Sequence, residues 1–363
     1  MRRLTPGPIR LLRGAALTLG LLIGAVLLSA LIIEALQPRR AIAATPDEAV
    51  RAATATCRPG GTAPARGVLG LSDPHADEPG VIDLIAATGV RWVRAELYWS
   101  EIEPVAGGGY RWGRYDAMIR AYAARGIRVQ AILTYVPPAY LGKPQRMDAA
   151  FQAFAAAAVR RYGAMGVHHW EVFNEPNLPG YGWLTRRFDT RENLPDYALL
   201  LARANRAVRE NDPRGVVILG GLASDQHRGL PIEETMQRLY DLGVAPCFDV
   251  MAFHPYGYQG RFPEARARVD AVLRAHGDTG KPVWFNEYGW TEQAAMDLSR
   301  NPDAGSNPML AALEQGSRAA EAFFWFSARD YSAKRGTPAF GLATADLVRR
   351  PSFQTFRHHV TGQ

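Results

Sequence analysis

Past residue 65, two patterns of apolar residues alternate along the chain. Short, nearly continuous β-rich runs occur at GVLGLS (67–72), VRWVRAEL (90–97), IRVQAILTY (127–135) and VHHWEVFN (167–174). Four more follow at GVVILGG (215–221), FDVMAFH (248–254), PVWFNE (282–287) and AFFWFS (322–327). Between them lie longer stretches with helical spacing, among them VIDLIAATG, YDAMIRAYAARG, DAAFQAFAAAAVRRYG and PEARARVDAVLRAHG. Several of these end in glycine or in Asn-Asp-Pro, the residues that stop a helix. Apolar strands followed by amphipathic helices predict parallel strands covered on both faces. Eight such units predict a single-domain (β/α)8 barrel over residues 66–363, with its chemistry at the C-terminal ends of the strands. The alternative, a doubly wound open sheet, calls for a glycine-rich phosphate loop after the first strand, and GLSDPHADEPG has no such pattern.

The N-terminal part reads differently. Residues 14–33, GAALTLGLLIGAVLLSALII, carry no ionisable group and follow MRRLTPGPIRLLR. A helix of that length spans roughly 30 Å, a bilayer core, and the arginines orient its start toward the cytoplasm. Residues 1–44 are therefore expected to form a membrane anchor through 14–36, or a signal peptide cleaved near Ala43 in the small-x-small Ala41-Ile42-Ala43. Both readings place the barrel outside the cytoplasm. Residues 45–65, rich in Ala, Thr, Pro and Gly, read as a linker.

Charge adds an exclusion. The net +7 comes mostly from the first 44 residues, where six arginines face one acid, Glu34. What remains is nearly neutral, with no basic stripe for nucleic acid. The two cysteines, Cys57 and Cys247, can pair outside the cytoplasm or stay separate thiols, and two cysteines alone do not make a metal site.

The barrel frame turns attention to polar and aromatic residues at the strand ends. The second strand offers Arg94, Trp99 and Glu103, the third Tyr135, and the fourth Asn174 and Glu175. The sixth offers His254 and Tyr256, the seventh Asn286, Glu287 and Tyr288, and the eighth Trp325. Glu175 and Glu287 stand 112 residues apart in sequence yet face one mouth. Paired carboxyl groups across a scissile bond are the apparatus of glycoside hydrolysis, one donating a proton while the other attacks. Arg94 and Tyr256 can keep one of the pair ionised, and aromatic rings supply walls for sugar faces. Such chemistry needs no cofactor or metal.

WEVFNEPN and VWFNEYGW together resemble clan A of the glycoside hydrolases, which are retaining (β/α)8 enzymes. WVRAELYWSEIEP, FDVMAFHPYG, FFWFSARD and FGLATADLVRRPSFQTF are similar to that clan's second-, sixth- and eighth-strand elements and its closing turn. The resemblance covers residues 66–360 and is nearest to family 39, particularly its bacterial exopolysaccharide hydrolases, with the cellulase-like family 5 next. It implies Glu175 as acid/base, Glu287 as nucleophile and Asn174 on the sugar 2-hydroxyl. It also implies Arg94 and Tyr256 beside Glu287, His254 in the floor and Trp325 beneath the sugar. Its substrate would be a polysaccharide or oligosaccharide joined by β-glycosidic bonds. A transglycosylase on the same residues, or a non-catalytic glycan-binding protein of the cell envelope, are the alternatives.

Other residues stand lower. Trp99, Tyr135, Tyr181, Trp183 and Trp290 are candidates for a sugar-binding cleft, although large aromatics also fill barrels. Adjacent His168 and His169 face opposite ways in a strand, which argues against joint metal ligation. Glu101 and Glu103 read as structural, and Asp73 and His75 remain without an assigned role.

Overall fold

A computed structural model describes residues 46–64, 66–178, 190–224, 230–291, 308–334 and 338–362. The expected anchor or signal segment at 1–44, Tyr181 and Trp183 lie outside the described residues. No helix among the described residues is long and apolar enough to cross a membrane.

The strands are β1 (Val68–Ser72), β2 (Trp92–Tyr98), β3 (Arg128–Thr134), β4 (His169–Val172), β5 (Val216–Leu219), β6 (Leu222–Ala223), β7 (Met251–His254), β8 (Val283–Tyr288) and β9 (Ala322–Phe326). All pairings between them are parallel, in the order β5-β4-β3-β2-β1-β9-β8-β7-β6. The two ends of that order are halves of one barrel strand, interrupted at Gly220 and Gly221. Ile218 of β5 also bridges Val250 in parallel, and the Asp249 and Val250 N–H groups both reach the Val217 carbonyl, which closes the ring. Nine strands thus make the eight staves of a (β/α)8 barrel.

Helices surround it: α1 (Pro46–Thr54), α2 (Pro79–Ala87), α3 (Trp99–Ile102), α4 (Gly113–Ala124), α5 (Pro144–Gly163), α6 (Thr190–Asn211), α7 (Ile232–Asp241), α8 (Phe262–Ala275), α9 (Pro308–Ala319) and α10 (Pro351–Thr361). Proline opens α2, α5, α8 and α10, where its missing N–H costs no helical hydrogen bond. The 3.6-residue periodicity supplies an apolar stripe on each helix, and the outward-facing strand residues pack beneath those stripes.

Inside the barrel the period of two separates a dry floor from a polar mouth. The floor includes Val68, Trp92, Val216, Val250, Trp284 and Phe324. Trp92 meets His169 edge-on at 4.7 Å, and the His169 ring lies 5.7 Å from Trp284. Burial depresses the His169 pKa to about 4, so this interior histidine is neutral. One pleat higher the facing residues become Arg94, Gln130, Glu171 and Asn286, all buried.

The stretch 45–65 departs from the linker expectation. Residues 46–54 form α1, and Cys57 is disulfide-bonded to Cys247. The Thr54 hydroxyl donates to the Leu242 carbonyl at 2.8 Å, and Asn205 spans the Arg58 N–H and the Cys247 carbonyl. Ala63 packs against the barrel floor. Small, polar composition suggested a free chain. The spacing of Val50 and Thr54 on one helical face, together with the disulfide, instead binds this segment to the barrel.

Candidate active site

Arg94 organises the mouth. It lies on β2, almost fully buried, and each of its five N–H groups has an acceptor. Nε and Nη2 grip Glu171 at 2.7 and 2.9 Å, Nη1 reaches Ser72 Oγ at 3.0 Å and Glu287 at 2.7 Å, and Nη2 also bonds Asn174 Oδ1 at 2.6 Å. Burial works against a cation here, but the two carboxylates outweigh it and raise the arginine pKa. Glu171 is the counter-charge. It accepts further bonds from Gln130 at 2.6 Å, the Gly221 N–H at 2.9 Å and Asn286 at 3.0 Å. Burial alone would raise its pKa, yet Arg94 and these donors hold it below the usual carboxylate range.

Two local backbone features bring the catalytic candidates to this arginine. At the end of β4, Phe173 and Glu175 adopt φ values of 61° and 47°, in the left-handed region that non-glycine residues rarely enter. The surroundings enforce it. The Phe173 N–H bonds the Leu133 carbonyl, the Glu175 N–H bonds the Gly221 carbonyl, and the Asn177 side chain clamps the following loop to Ala223 at 2.8 and 2.9 Å. Gly221 must be glycine, because a Cβ there would overlap the His254 ring. At the end of β8 the register with β9 slips: Phe285 pairs with Phe323, but Tyr288 with Trp325. The extra residue is a bulge, so consecutive Asn286 and Glu287 both reach the central network.

Glu287 receives Arg94 on one oxygen and the Tyr256 hydroxyl on the other, at 3.1 Å. Burial and the nearby Glu287 and Glu175 raise the Tyr256 pKa, so that hydroxyl stays a donor. Glu175 shares a hydrogen bond of 2.9 Å with His254 Nδ1, and the same nitrogen lies 3.9 Å from Glu287. An oxygen of Glu175 and one of Glu287 lie within 4.8 Å of each other. Glu175, His254 and Glu287 are also the one set of donors, among the described residues, close enough to share a metal ion. The Arg94 guanidinium, 2.7 Å from Glu287, opposes a cation at that place.

The structure therefore brings Arg94, Asn174, Glu175, His254, Tyr256 and Glu287 together. Tyr135, at the end of β3, is at the mouth, 38% exposed, with its ring 4.6 Å from Tyr98. Three expected aromatics are elsewhere. Trp99 is fully buried between Tyr140 and Phe154 and donates to Glu103 at 2.7 Å, which makes it a packing residue of the outer layer. Trp325 and Trp290 meet edge-on at 4.9 Å in the outer core. Ala322 and Phe324 face the barrel interior, so the alternate residues Phe323 and Trp325 face the helices. Phe326 continues the inward series. Half-buried, it lies 5.4 Å from Phe340, which in turn lies 6.3 Å from Tyr256.

Sequence reasoning also missed Glu171, Gln130 and Ser72. The available signal was Glu171 itself, a charge inside an apolar strand, which must find a buried partner. Asp73, left without a role, accepts the N–H groups of His75, Ala328 and Arg329 and ties the β1 loop to the chain after β9. Glu103 is structural as expected, accepting from Trp99, Gly107 and Tyr140.

The sequence matches the family model described as Cellulase (glycosyl hydrolase family 5) over residues 62–325. The chain belongs to that family. This family 5 chain is thus a member of the glycoside hydrolases, within the expected clan A. Its solved structural relatives are distant in sequence and share the barrel. A family 39 glycoside hydrolase from Bacteroides cellulosilyticus WH2 superposes with a TM-score of 0.58 at 20% identity, covering 84% of this chain and 65% of its own. An exo-β-1,4-mannosidase from Opitutaceae bacterium strain TAV5 gives 0.59 at 16%, covering 84% and 60%. The β-glucosidase from Thermotoga maritima gives 0.60 at 13%, covering 79% and 86%. The chain therefore spans less than two thirds of the length of the first and second of these proteins. Comparison with curated proteins finds no match.

Proposed function

We propose that this chain is a retaining glycoside hydrolase that cleaves β-glycosidic bonds of a polysaccharide or oligosaccharide through a covalent glycosyl-enzyme. One observation carries the mechanism: an oxygen of Glu175 and one of Glu287 within 4.8 Å. Direct attack on the anomeric carbon calls for carboxyl groups about 5–5.5 Å apart, whereas an intervening water needs about 6.5–9.5 Å. The two environments divide the roles. Glu287, bonded by a cation and a phenol, suits the nucleophile, while Glu175, bonded by the His254 imidazole, suits the acid. Glu175 gives its proton to the glycosidic oxygen as Glu287 attacks the anomeric carbon and the bond to the leaving sugar breaks. Glu175 then takes a proton from a water that attacks the same carbon and releases Glu287.

Asn174, whose oxygen is held by Arg94, keeps its amide N–H groups for the sugar 2-hydroxyl, and Phe326 takes the place beneath the ring that Trp325 was expected to fill. The names of the structural relatives, a mannosidase and a β-glucosidase, support a β-linked hexose unit. An extracytoplasmic place, with an exopolysaccharide as substrate, agrees with the apolar N-terminal stretch and with the Cys57–Cys247 disulfide, which suits an oxidising compartment. The test is hydrolysis of a panel of p-nitrophenyl β-glycosides by wild type, Glu175→Ala and Glu287→Ala. Wild type is expected to cleave at least one and both variants to lose that activity. Equal behaviour of all three would remove the assignment.

A further inference from the structure

Glu96 is the acid at the mouth that the mechanism above does not use. It lies on β2 two residues beyond Arg94, so it shares the barrel-facing side and stands one pleat, roughly 7 Å, nearer the opening. In register it neighbours Ile132 of β3. The Tyr98 hydroxyl donates to the Pro74 carbonyl at 3.4 Å, and Glu96 Oε2 is buried with no donor among the described residues reaching it. The nearest cation cannot turn to it, because all five N–H groups of Arg94 are committed to Glu171, Ser72, Glu287 and Asn174. A buried carboxyl oxygen left without a partner is costly and rare, which points to a donor supplied from outside the chain.

Resting on the hydrolase reading, we infer that Glu96 binds one or two hydroxyl groups of the sugar ring seated beside Glu287, and so sets which glycoside the site accepts. The surroundings fit hydroxyl donors. Tyr98 and Tyr135 stand edge to face at 4.6 Å next to the carboxyl, with Tyr135 partly open to solvent. An aromatic face beside a carboxyl acceptor matches a sugar's C–H face beside its hydroxyl edge. Burial, with added repulsion from Glu287 and Glu171, pushes the Glu96 pKa up to about 7 despite Tyr98 and Arg94. The carboxyl can thus accept from a sugar hydroxyl when ionised and donate to one when protonated. Glu96 touches neither of the reacting carboxyl groups through a hydrogen bond, so its part is recognition.

The experiment measures kcat/KM for wild type, Glu96→Gln and Glu96→Ala on p-nitrophenyl β-xyloside, glucoside, galactoside and mannoside. It then uses the 2-, 3-, 4- and 6-deoxy forms of the best of these. Wild type is expected to lose on the order of 10- to 100-fold when one hydroxyl other than the 2-hydroxyl is removed. In Glu96→Ala that same deletion should cost nothing further, while the 2-deoxy loss persists because Asn174 is intact. Glu96→Gln preserves the volume and guards against a folding defect, with thermal melting as the check. An active wild type whose preference among sugars and deoxy analogues is unchanged in both variants overturns this inference alone. A wild type inert toward every glycoside in the panel overturns the hydrolase reading, and this one with it.

Discussion

Replacing Glu171 by glutamine removes one negative charge from beneath the mouth of the barrel at almost constant volume. Every neighbour of its two oxygens is a donor: Arg94 Nη2 and the Gly221 N–H on one, Arg94 Nε, Gln130 and Asn286 on the other. Gln130 and Asn286 each have an amide oxygen without a partner, so turning both amides lets them accept from the new NH2 group. The bond to Arg94 Nε cannot be recovered that way. Losing one charged hydrogen bond costs about 1.5–3 kcal/mol, and stranding its buried N–H about 1–3 more. The sum, about 2.5–6 kcal/mol, brackets the usual cost of about 3–5 kcal/mol for breaking a buried ion pair from one side. Urea unfolding of wild type and Glu171→Gln, with comparison of midpoints at constant slope, measures it. The variant should also lose kcat, although Glu171 faces no substrate, because Arg94 would no longer be fixed between Asn174 and Glu287. A change below about 1 kcal/mol would show that Glu171 does not anchor Arg94, and the description of the site would be wrong at its centre.

Tyr256→Phe removes the second donor on Glu287, and kcat/KM on an aryl glycoside should fall by about 10- to 100-fold with the fold intact. Steady-state kinetics on that substrate check it. Joint replacement of Cys57 and Cys247 by serine frees a segment that crosses 190 residues of sequence, and should lower unfolding stability by about 3–5 kcal/mol in urea. Asp73 provides a pH signature. Burial raises its folded pKa from 3.8 to about 6, so between those values the folded state binds more protons than the unfolded chain. Its contribution to stability therefore falls as pH rises through that window. The stability of wild type minus that of Asp73→Asn should drop by about 2 kcal/mol between pH 4 and 7, and a flat difference would contradict the assignment.

The barrel was legible because buried parallel strands and amphipathic helices leave opposite periodicities in the chain, and strand ends then located Glu175, Glu287, Arg94, His254 and Tyr256. What escaped depends on single-residue geometry. Trp325 and Phe326 are adjacent aromatics, and only the inward placement of Phe324 decides which of them reaches the mouth. The bulge that lets both Asn286 and Glu287 turn inward has no signature in VWFNEY. Glu171 and Glu96 belong to runs that alternate with apolar residues, and their significance appears only when four strands converge on Arg94. The Gly220–Gly221 break reads in sequence as the end of an ordinary strand. In the barrel its carbonyl fixes Glu175, and its missing side chain leaves room for His254.

The covalent role proposed for Glu287 can be tested directly by trapping. Incubation with 2,4-dinitrophenyl 2-deoxy-2-fluoro-β-glycosides of the sugars that wild type cleaves slows the release of the intermediate, and peptide mass spectrometry locates the sugar. The geometry at the ends of β4 and β8 predicts one sugar per chain, on the peptide containing Glu287, and none in Glu287→Ala. A sugar carried on Glu175 or elsewhere, or no adduct together with a product of inverted anomeric configuration by NMR, would contradict the two-carboxylate mechanism.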